Sequence, residues 1–341
     1  MKDAVKLLIP LAKPQFIFET SSHGGACLAR RLLRWANAGH PEKTMSLFDA
    51  PPTTRRHFLR DATKIAVGIA LAAGSYGAVF ERQHVVVRYI DIPLARLPEA
   101  LDGLTIAQLS DFHYHPLFSA GVIRKALAFV HLLQPDIVAL TGDFVTLSEF
   151  RDEDPAAAQA VEPCAELLAS LRPPLGVYAV LGNHDTFTDP SHVAAALSAR
   201  GFKVLENQAI PIEKHGKRIW IAGVQDALGG FPDLDATLAR VPRKEPVVLL
   251  AHEPDFADEA AQHLIDLQLS GHSHGGQVRL PFLPPLALPR LGRKYPIGLR
   301  TLGRMKLYTN IGLGTIGVPM RIGATPEVTL FTLRTSTNGK P

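Results

Sequence analysis

The chain has 341 residues, of which 46% are hydrophobic and 20% charged, so it can form one large α/β domain with an ordinary core. Its net charge of +4 arises in the first part of the chain. Residues 1–80 hold 11 basic and 5 acidic side chains, whereas residues 81–341 hold 25 and 27. The basicity is therefore no evidence for a nucleic-acid partner, and we expect none.

Residues 1–80 are predicted to be a leader that carries an export signal. Thr54–Arg60 (TRRHFLR) resembles the twin-arginine signal, and an uncharged stretch rich in alanine and glycine follows from Ile65 to Phe80. That stretch is shorter than the roughly 20 apolar residues of a membrane span, which favours a signal. An amphipathic or anchor helix is the alternative. No clean cleavage site stands near Ala72–Ala78, so retention as an anchor stays open.

A twin-arginine signal predicts contact with the twin-arginine translocase and a location in the periplasm or on the outer face of the cytoplasmic membrane. Met45 would begin a compact signal of this kind, so we hypothesise that translation starts there, which N-terminal sequencing of the precursor would test. The two cysteines, Cys27 and Cys164, lie in the leader and the body. A mature body therefore contains no intramolecular disulfide.

The body, residues 81–335, is predicted to form one domain, followed by a disordered tail at 336–341. Its first half alternates buried strands with amphipathic helices, a rhythm typical of a parallel sheet. The strands are predicted at Leu104–Leu109, Asp136–Thr141 and Gly176–Leu181, and the helices at Gly121–Gln134, Ala156–Ser170 and Ser191–Arg200.

Beyond Gly201 the pattern changes to short strands around a Lys-His-Gly-Lys turn, which is more typical of an antiparallel sheet. These strands are predicted at Phe202–Leu205, Ala209–Glu213 and Arg218–Val224, with two further buried strands at Val247–Ala251 and Leu267–Ser270. Glu327–Arg334 is predicted to close the domain as an edge strand. No internal repeat or low-complexity linker is present.

Five short polar segments stand where hydrophobic runs end. The segments are Asp111-Phe-His113, Gly142-Asp143, Gly182-Asn-His-Asp185, His252 and Gly271-His-Ser-His274. Loops at the carboxyl ends of strands in an open α/β sheet converge on one crevice. The segments offer carboxylates, one amide oxygen and imidazoles, and no thiolate. A ligand set of this kind suits two divalent cations that share a carboxylate. We therefore expect two metal ions, with Mn²⁺ favoured over Fe or Zn²⁺ because a protein exported in the folded state can be loaded in the cytoplasm.

With these motifs, and with Gly271-His-Ser-His-Gly-Gly-Gln-Val278, Gly312-Leu-Gly-Thr315 and Pro326-Glu-Val-Thr-Leu330, the chain resembles calcineurin-like metallophosphoesterases. More narrowly, it resembles their twin-arginine-exported YkuE/YaeI-type branch, over roughly residues 85–334. The resemblance implies an α/β fold, a four-layer αββα sandwich of two mixed β-sheets flanked by helices.

The resemblance also implies roles for individual residues. One ion would be held by Asp111, His113, Asp143 and His274, and Asp143 would bridge to a second ion held by Asn183, His252 and His272. His184 would face the substrate phosphate as a catalytic residue, with Asp185 beside it. Ile311 stands where many relatives carry arginine, and His115 replaces a small residue, so substrate contacts are expected to differ here.

The implied activity is hydrolysis of phosphodiester or pyrophosphate bonds at the cell envelope by a metal-activated hydroxide. UDP-2,3-diacylglucosamine hydrolysis in lipid A synthesis is an alternative, although an exported domain would face away from that cytoplasmic substrate. A non-catalytic metal-dependent envelope binding protein is a remote alternative.

The segment Arg279–Lys306 holds seven basic residues and no acidic ones, together with several leucines. A plain surface loop is one interpretation of this composition. The other is a basic, apolar lip that meets a membrane face or an anionic, lipid-linked substrate. The sequence alone does not separate the two.

Overall fold

The structure is a computed structural model that describes residues 55–147, 155–280 and 282–336. The chain divides into two compact units, Met1–Ala62 and Thr63–Pro341. Of the first unit only residues 55–62 are described, and they form the opening turns of helix α1 (Arg55–Val79). Met45, Cys27 and most of the predicted tail lie outside the described residues.

Helix α1 is longer than the uncharged stretch that the sequence marks out. With the turn that follows it, Arg55–Gln83 is long and apolar enough, by length and composition, to cross a membrane. The expectation that the stretch is too short for a span is therefore wrong on length, because the helix also takes in the residues from Arg55 onward. An export signal near the N-terminus passes the same test, so the helix is compatible with either a signal or an anchor.

Twelve strands form two six-stranded sheets. In chain order the strands are β1 (Val86–Leu94), β2 (Thr105–Leu109), β3 (Ile137–Leu140), β4 (Val177–Ala179), β5 (Lys203–Val204), β6 (Gln208–Lys214), β7 (Lys217–Gly223), β8 (Val247–Leu250), β9 (Leu267–Ser270), β10 (Gly298–Leu302), β11 (Met305–Thr309) and β12 (Glu327–Thr335). The first sheet has the order β1-β12-β2-β3-β4-β5 and the second β10-β11-β9-β8-β7-β6. Each sheet is mixed, since β12 and β2, β6 and β7, and β10 and β11 pair antiparallel while the remaining neighbours are parallel.

Seven helices complete the described fold. After α1 they are α2 (Ala120–Leu133), α3 (Pro155–Leu168), α4 (Asn183–Thr188), α5 (Pro190–Ala199), α6 (Leu234–Leu238) and α7 (Ala257–Ala260). Asp189 fixes the start of α5 by accepting a hydrogen bond from the His192 amide at 3.0 Å, and Pro190 suits the first helical position.

Three hydrophobic clusters define four layers. Along β2 and β3, alternate side chains point to opposite faces: Leu109 and Leu140 lie in the cluster under helices α2, α3 and α5, whereas Ile106 and Ile137 lie in the cluster between the sheets. A third cluster includes Trp220 and packs on the outer face of the second sheet with α6 and α7. The predicted four-layer αββα sandwich is therefore confirmed.

The structure differs from the sequence-based expectations at three points, which concern β12, β5 and the basic segment. β12 is internal, lying between β1 and β2, because β1 was not predicted and covers its outer side. β5 pairs parallel with β4 in the first sheet instead of joining the antiparallel strands. The basic segment from residue 279 to 306 is not only loop, since it contains β10 and the start of β11.

Candidate metal centre

The carboxyl ends of five parallel strands bring the candidate ligands together. Because β2, β3 and β4 belong to the first sheet and β8 and β9 to the second, both sheets contribute to the crevice. The residues that follow these strands are Asp111 and His113 after β2, Asp143 after β3, Asn183 after β4, His252 after β8, and His272 and His274 after β9.

The first group of ligand atoms comes from Asp111, His113, Asp143 and His274, all buried. One ligand atom from each residue lies within 4.8 Å of the others. His113 Nε2 is 3.0 Å from His274 Nε2 and 3.4 Å from Asp143 Oδ2, and His274 Nε2 is 3.3 Å from Asp111 Oδ1. Two imidazole nitrogens and two carboxylates therefore converge on one point.

The second group shares a carboxylate with the first. Asp143, His252 and His272 also present ligand atoms within 4.8 Å of one another, and His252 Nε2 lies 3.1 Å from Asp143 Oδ2. Asp143 is the residue common to both groups. The geometry thus matches two adjacent cation sites with a bridging carboxylate.

Hydrogen bonds to carbonyl oxygens fix which imidazole nitrogens are available. His252 Nδ1 lies 2.6 Å from the carbonyl oxygen of Thr141, and His272 Nε2 lies 2.8 Å from that of Arg290. A carbonyl only accepts, so these nitrogens carry the hydrogen. His272 Nδ1 is thereby left with a lone pair, and His252 Nε2 is the nitrogen that faces Asp143. Hydrogen bonds of this kind orient metal-binding histidines.

Two buried oxygen atoms support the presence of cations. Asp111 Oδ2 and Asn183 Oδ1 have no hydrogen-bond partner within the described part of the chain. A buried acceptor left without a partner costs free energy, so such atoms call for an explanation. Cations at the two groups would give both oxygens a partner. The donor set present therefore fits two divalent ions.

Burial prepares the histidines of the site as ligands. It lowers the pKa of His113 to about 3 and that of His272 to about 4, and it holds the pKa of His274 well below its usual value. These three imidazoles are neutral at pH 7, the form that binds metals. Burial raises the pKa of Asp143, but the surrounding histidines, above all His252 with its charge and hydrogen bond, together outweigh burial and keep the pKa of the carboxyl well below its usual range.

His252 behaves differently, and cation loading should release its proton. Burial lowers its pKa, but the charge and hydrogen bond of Asp143, together with the charges of Glu253 and Asp111, outweigh burial and raise the pKa well above the ordinary value. The ion-free protein therefore holds an imidazolium at pH 7, whereas a cation binds only neutral imidazole. We expect loading to release about one proton, so that affinity rises with pH up to the pKa of His252. Calorimetric titration with Mn²⁺ in two buffers of different ionisation enthalpy would measure the release, and identical heats in both buffers would contradict it.

Five of the candidate ligands adopt left-handed backbone conformations. The φ angles are 52° at Asp111, 40° at His113, 56° at Asp143, 68° at His272 and 50° at His274. Residues other than glycine rarely adopt such angles, and sparsely populated conformations of this kind cluster at functional sites. The sharp turns they create let two residues from one loop face the same crevice.

Glycines allow the ligand loops to approach one another. A Cβ atom at Gly182 would lie 2.7 Å from the backbone nitrogen of Asp143 and 2.8 Å from His252 Cε1. At Gly271 it would collide with the side chains of Ser110 and Asp111. Glycine is therefore required next to the ligands.

Gly182→Ala should consequently weaken both the fold and the site. Because the added methyl group meets backbone as well as side chains, we expect a loss of about 1–3 kcal/mol in unfolding free energy and a lower metal content. Gly74→Ala is the matched control, since a Cβ there meets nothing within 4 Å. Chemical denaturation and metal analysis would measure both effects, and equal behaviour of the two variants would refute the expectation.

His184 lies beside the first group with a defined tautomer. Its ring is 4.9 Å from that of His113, and its Nδ1 accepts a hydrogen bond from the Leu147 amide at 3.1 Å. A neutral ring that accepts at Nδ1 carries its hydrogen on Nε2. Its backbone amide donates to Asp143 Oδ1 at 3.0 Å. His184 is thus held as a hydrogen-bond donor next to the ligands, as its predicted role requires.

Asp185, which is predicted to act beside His184, accepts hydrogen bonds from three backbone amides. Its Oδ1 accepts hydrogen bonds from the amides of Phe144 at 2.8 Å and Val145 at 3.2 Å, and its Oδ2 accepts from Gly182 at 2.9 Å. The side chain is fully buried. Both oxygens are therefore used to tie the loop after β3 to the loop after β4.

Arg321 contacts the site but is not predicted from the sequence. Its guanidinium is completely buried, lies 3.4 Å from His274 Nδ1 and donates to the carbonyl oxygens of Ile311, Gly314 and Ala324. A single arginine outside any motif gives no signal in one sequence. Its contact with the Ile311 carbonyl oxygen places an arginine beside Ile311, supplied from a different point in the chain.

The comparison with protein families agrees with this geometry. The calcineurin-like phosphoesterase family matches residues 104–276, a range that holds all seven candidate ligands and His184. The chain belongs to the calcineurin-like phosphoesterase family. Its enzymatic class is accordingly that of a metallophosphoesterase with a candidate dimetal site, and its substrate is a phosphate ester.

Individual relatives of this calcineurin-like phosphoesterase match most of the chain. It is 34% identical to the metallophosphoesterase YkuE of Bacillus subtilis over 291 residues, covering 84% of this chain and 99% of YkuE. It is 31% identical to the phosphodiesterase YaeI of Escherichia coli over 284 residues, covering 82% and 99%. A transmembrane protein with metallophosphoesterase domain from Danio rerio is 31% identical over 291 residues, covering 80% of this chain and 62% of that protein.

Proposed function

We propose that this metallophosphoesterase hydrolyses phosphodiester or pyrophosphate bonds at the cell envelope. The observation that carries the proposal is the pair of ligand groups that share Asp143. The similar protein YaeI is named a phosphodiesterase, which favours diester over monoester substrates.

Asp111, His113, Asp143 and His274 would hold one cation, and Asp143, Asn183, His252 and His272 the other. Two divalent cations bound there would supply Lewis acidity towards phosphate oxygens and lower the pKa of bound water. His184 would donate a hydrogen bond from Nε2–H to the leaving oxygen and so stabilise the charge that develops on it. Asp185 holds the two loops in register, since it accepts from Phe144, Val145 and Gly182.

Mn²⁺ is the proposed physiological ion, with Fe and Zn²⁺ as the alternatives that the same ligands accept. The preference for Mn²⁺ follows from the proposed route of export. A protein exported by the twin-arginine translocase crosses the membrane folded, so its ions would be acquired in the cytoplasm. Metal analysis of protein purified from the envelope would test this, and a content dominated by Zn²⁺ would exclude it.

The proposed location is the periplasm or the outer face of the cytoplasmic membrane, reached through the twin-arginine translocase. Arg55 and Arg56 begin α1, a helix whose length and composition suit either a signal or an anchor. Fractionation of cells with and without the translocase would test the location. Equal cytoplasmic and envelope distribution in both strains would refute it.

UDP-2,3-diacylglucosamine hydrolysis is the second candidate for the substrate. The exposed leucines and basic residues between 279 and 306, such as Leu283, Leu286 and Arg304, suit a membrane face or an anionic lipid. An outer location would separate the enzyme from this cytoplasmic substrate, so a general envelope phosphodiesterase is the better proposal. A non-catalytic binding role is disfavoured because every expected ligand type is present.

Turnover of bis-p-nitrophenyl phosphate would test the central proposal. We expect the purified chain to release p-nitrophenolate when Mn²⁺ is supplied and to lose that activity on chelation. Full occupancy by two ions without turnover of this diester or of a monoester would favour the binding-protein alternative. Turnover of the monoester alone would reject the diester preference.

A further inference from the structure

A mainly apolar cavity adjoins the first group of ligands. Its volume is about 380 Å³, and His113 lies at its wall together with Phe118, Ala157, Ala160, Ile316 and Pro319. This size falls in the range of small-molecule sites, which combine apolar walls with a few polar groups. The reacting phosphate would sit at the ligands, so an adjoining apolar wall selects what is attached to it.

The cavity lies close to the end of α1 and the turn that follows. Arg82, in that turn, places its guanidinium 5.3 Å from the centre of the ring of the lining residue Phe118 and donates to the Phe118 carbonyl oxygen at 3.2 Å. On the other side, the amide of Arg321, which follows the lining residue Pro319 in the chain, donates to the Gly77 carbonyl oxygen at 3.2 Å. A Cβ at Gly77 would lie 2.6 Å from the Arg321 carbonyl oxygen, so the helix is in direct contact with the segment that follows Pro319.

Large apolar side chains next to the lining residues and on the helix face outward. Leu117 is 78% exposed and Val318 57%, and Phe80, at the end of α1, is 66% exposed. Large apolar side chains that are exposed in this way are typical of an interaction surface. Arg82 adds a cation, which suits the anionic face of a membrane.

We infer that the cavity receives the hydrocarbon part of an amphiphilic phosphoester taken from the membrane in which α1 is anchored. The inference rests on the proposed phosphodiesterase function and on the proposal that α1 stays in the membrane as an anchor, and it adds the substrate class. The helix ends close to the cavity, so Leu117 and Val318 would lie at the lipid surface. A lipid-linked phosphodiester then reaches the ligands with its chain along Phe118 and Ile316.

The test uses the full chain in detergent, loaded with Mn²⁺, and two p-nitrophenyl alkyl phosphates that carry a methyl or an octyl group. Both release the same p-nitrophenolate, so only the retained alkyl group differs. We expect kcat/KM to be at least about tenfold higher for the octyl ester, because its methylenes are buried in the cavity.

Ala160→Phe fills the cavity and should lower kcat/KM for the octyl ester to the value for the methyl ester. Ala158→Phe is the matched control: it lies on the same helix, α3, but does not line the cavity. Ile316→Asp gives a second, independent variant, since it places a charge on the wall without adding volume, and it should also abolish the preference.

Equal kcat/KM for both esters in the unaltered chain would overturn the inference while the proposed function stands. The same holds if Ala160→Phe and Ile316→Asp keep the octyl preference. Absence of turnover with both esters, at full metal occupancy, would remove the proposed function and the inference with it.

Discussion

Asp143→Ala should lose both cations and all metal-dependent turnover. Asp143 is the one residue shared by the two groups of ligand atoms, and it lies 3.1 Å from His252 and 3.4 Å from His113 through the same oxygen, Oδ2. Without it, each ion loses its bridging carboxylate, and the four buried imidazoles have less negative charge to offset a divalent ion. We expect the metal content to fall from about two per chain to background.

Metal analysis after dialysis, together with the diester assay, would measure this result. Asp143→Asn is the sharper variant because it keeps the shape of the side chain and removes only its charge. Asp258→Ala is the control, since that carboxylate pairs with Lys294 at the surface. Retention of one tightly bound ion in Asp143→Ala would show that the two sites are independent and that the carboxylate does not bridge them.

His184→Ala should keep both ions but lose turnover by about 10²–10⁴-fold. The side chain is next to His113 but belongs to neither ligand group. Its Nδ1 is occupied by the Leu147 amide, which leaves the hydrogen on Nε2 for the substrate. The loss should be larger for a dialkyl phosphodiester than for bis-p-nitrophenyl phosphate, because an alkoxide leaving group carries a more concentrated negative charge than p-nitrophenolate and gains more from the hydrogen bond that His184 Nε2 donates.

Kinetics on the two substrates and metal analysis of the same preparation would test the role. His192→Ala is the control, as this histidine lies on α5, away from the candidate centre. An equal loss on both substrates would indicate that His184 contacts the phosphate and not the leaving oxygen. Loss of metal along with activity would make it a ligand or a structural residue instead.

The elements that hold the site were predictable because their sequences carry strong local patterns. β2, β3, β8 and β9 are short apolar runs buried on both faces, and each ends in a polar motif. A carboxylate or histidine directly after such a run is expected to lie in the crevice at the strand end. That is why Asp111, Asp143 and His252 could be grouped from the sequence.

Contacts between distant parts of the chain could not be predicted from one sequence. β1 pairs with β12 and covers its outer side, so that Val86 lies opposite Glu327, although the two residues are far apart in the chain. Arg321 reaches His274 by the same kind of contact. The tautomers of His252 and His272 depend on the carbonyl groups of Thr141 and Arg290, which only the folded chain brings into place.

The left-handed residues of the centre carry a consequence for how the protein matures. Each such conformation costs of order 1 kcal/mol or more. Without cations, the protein is therefore destabilised by the strain at the five ligands Asp111, His113, Asp143, His272 and His274. Cation binding would offset this loss of stability, so the ions would take part in the folding equilibrium as well as in the chemistry. A translocase that accepts only folded chains would then export the loaded protein in preference to the empty one, and metal supply in the cytoplasm would set how much enzyme reaches the envelope.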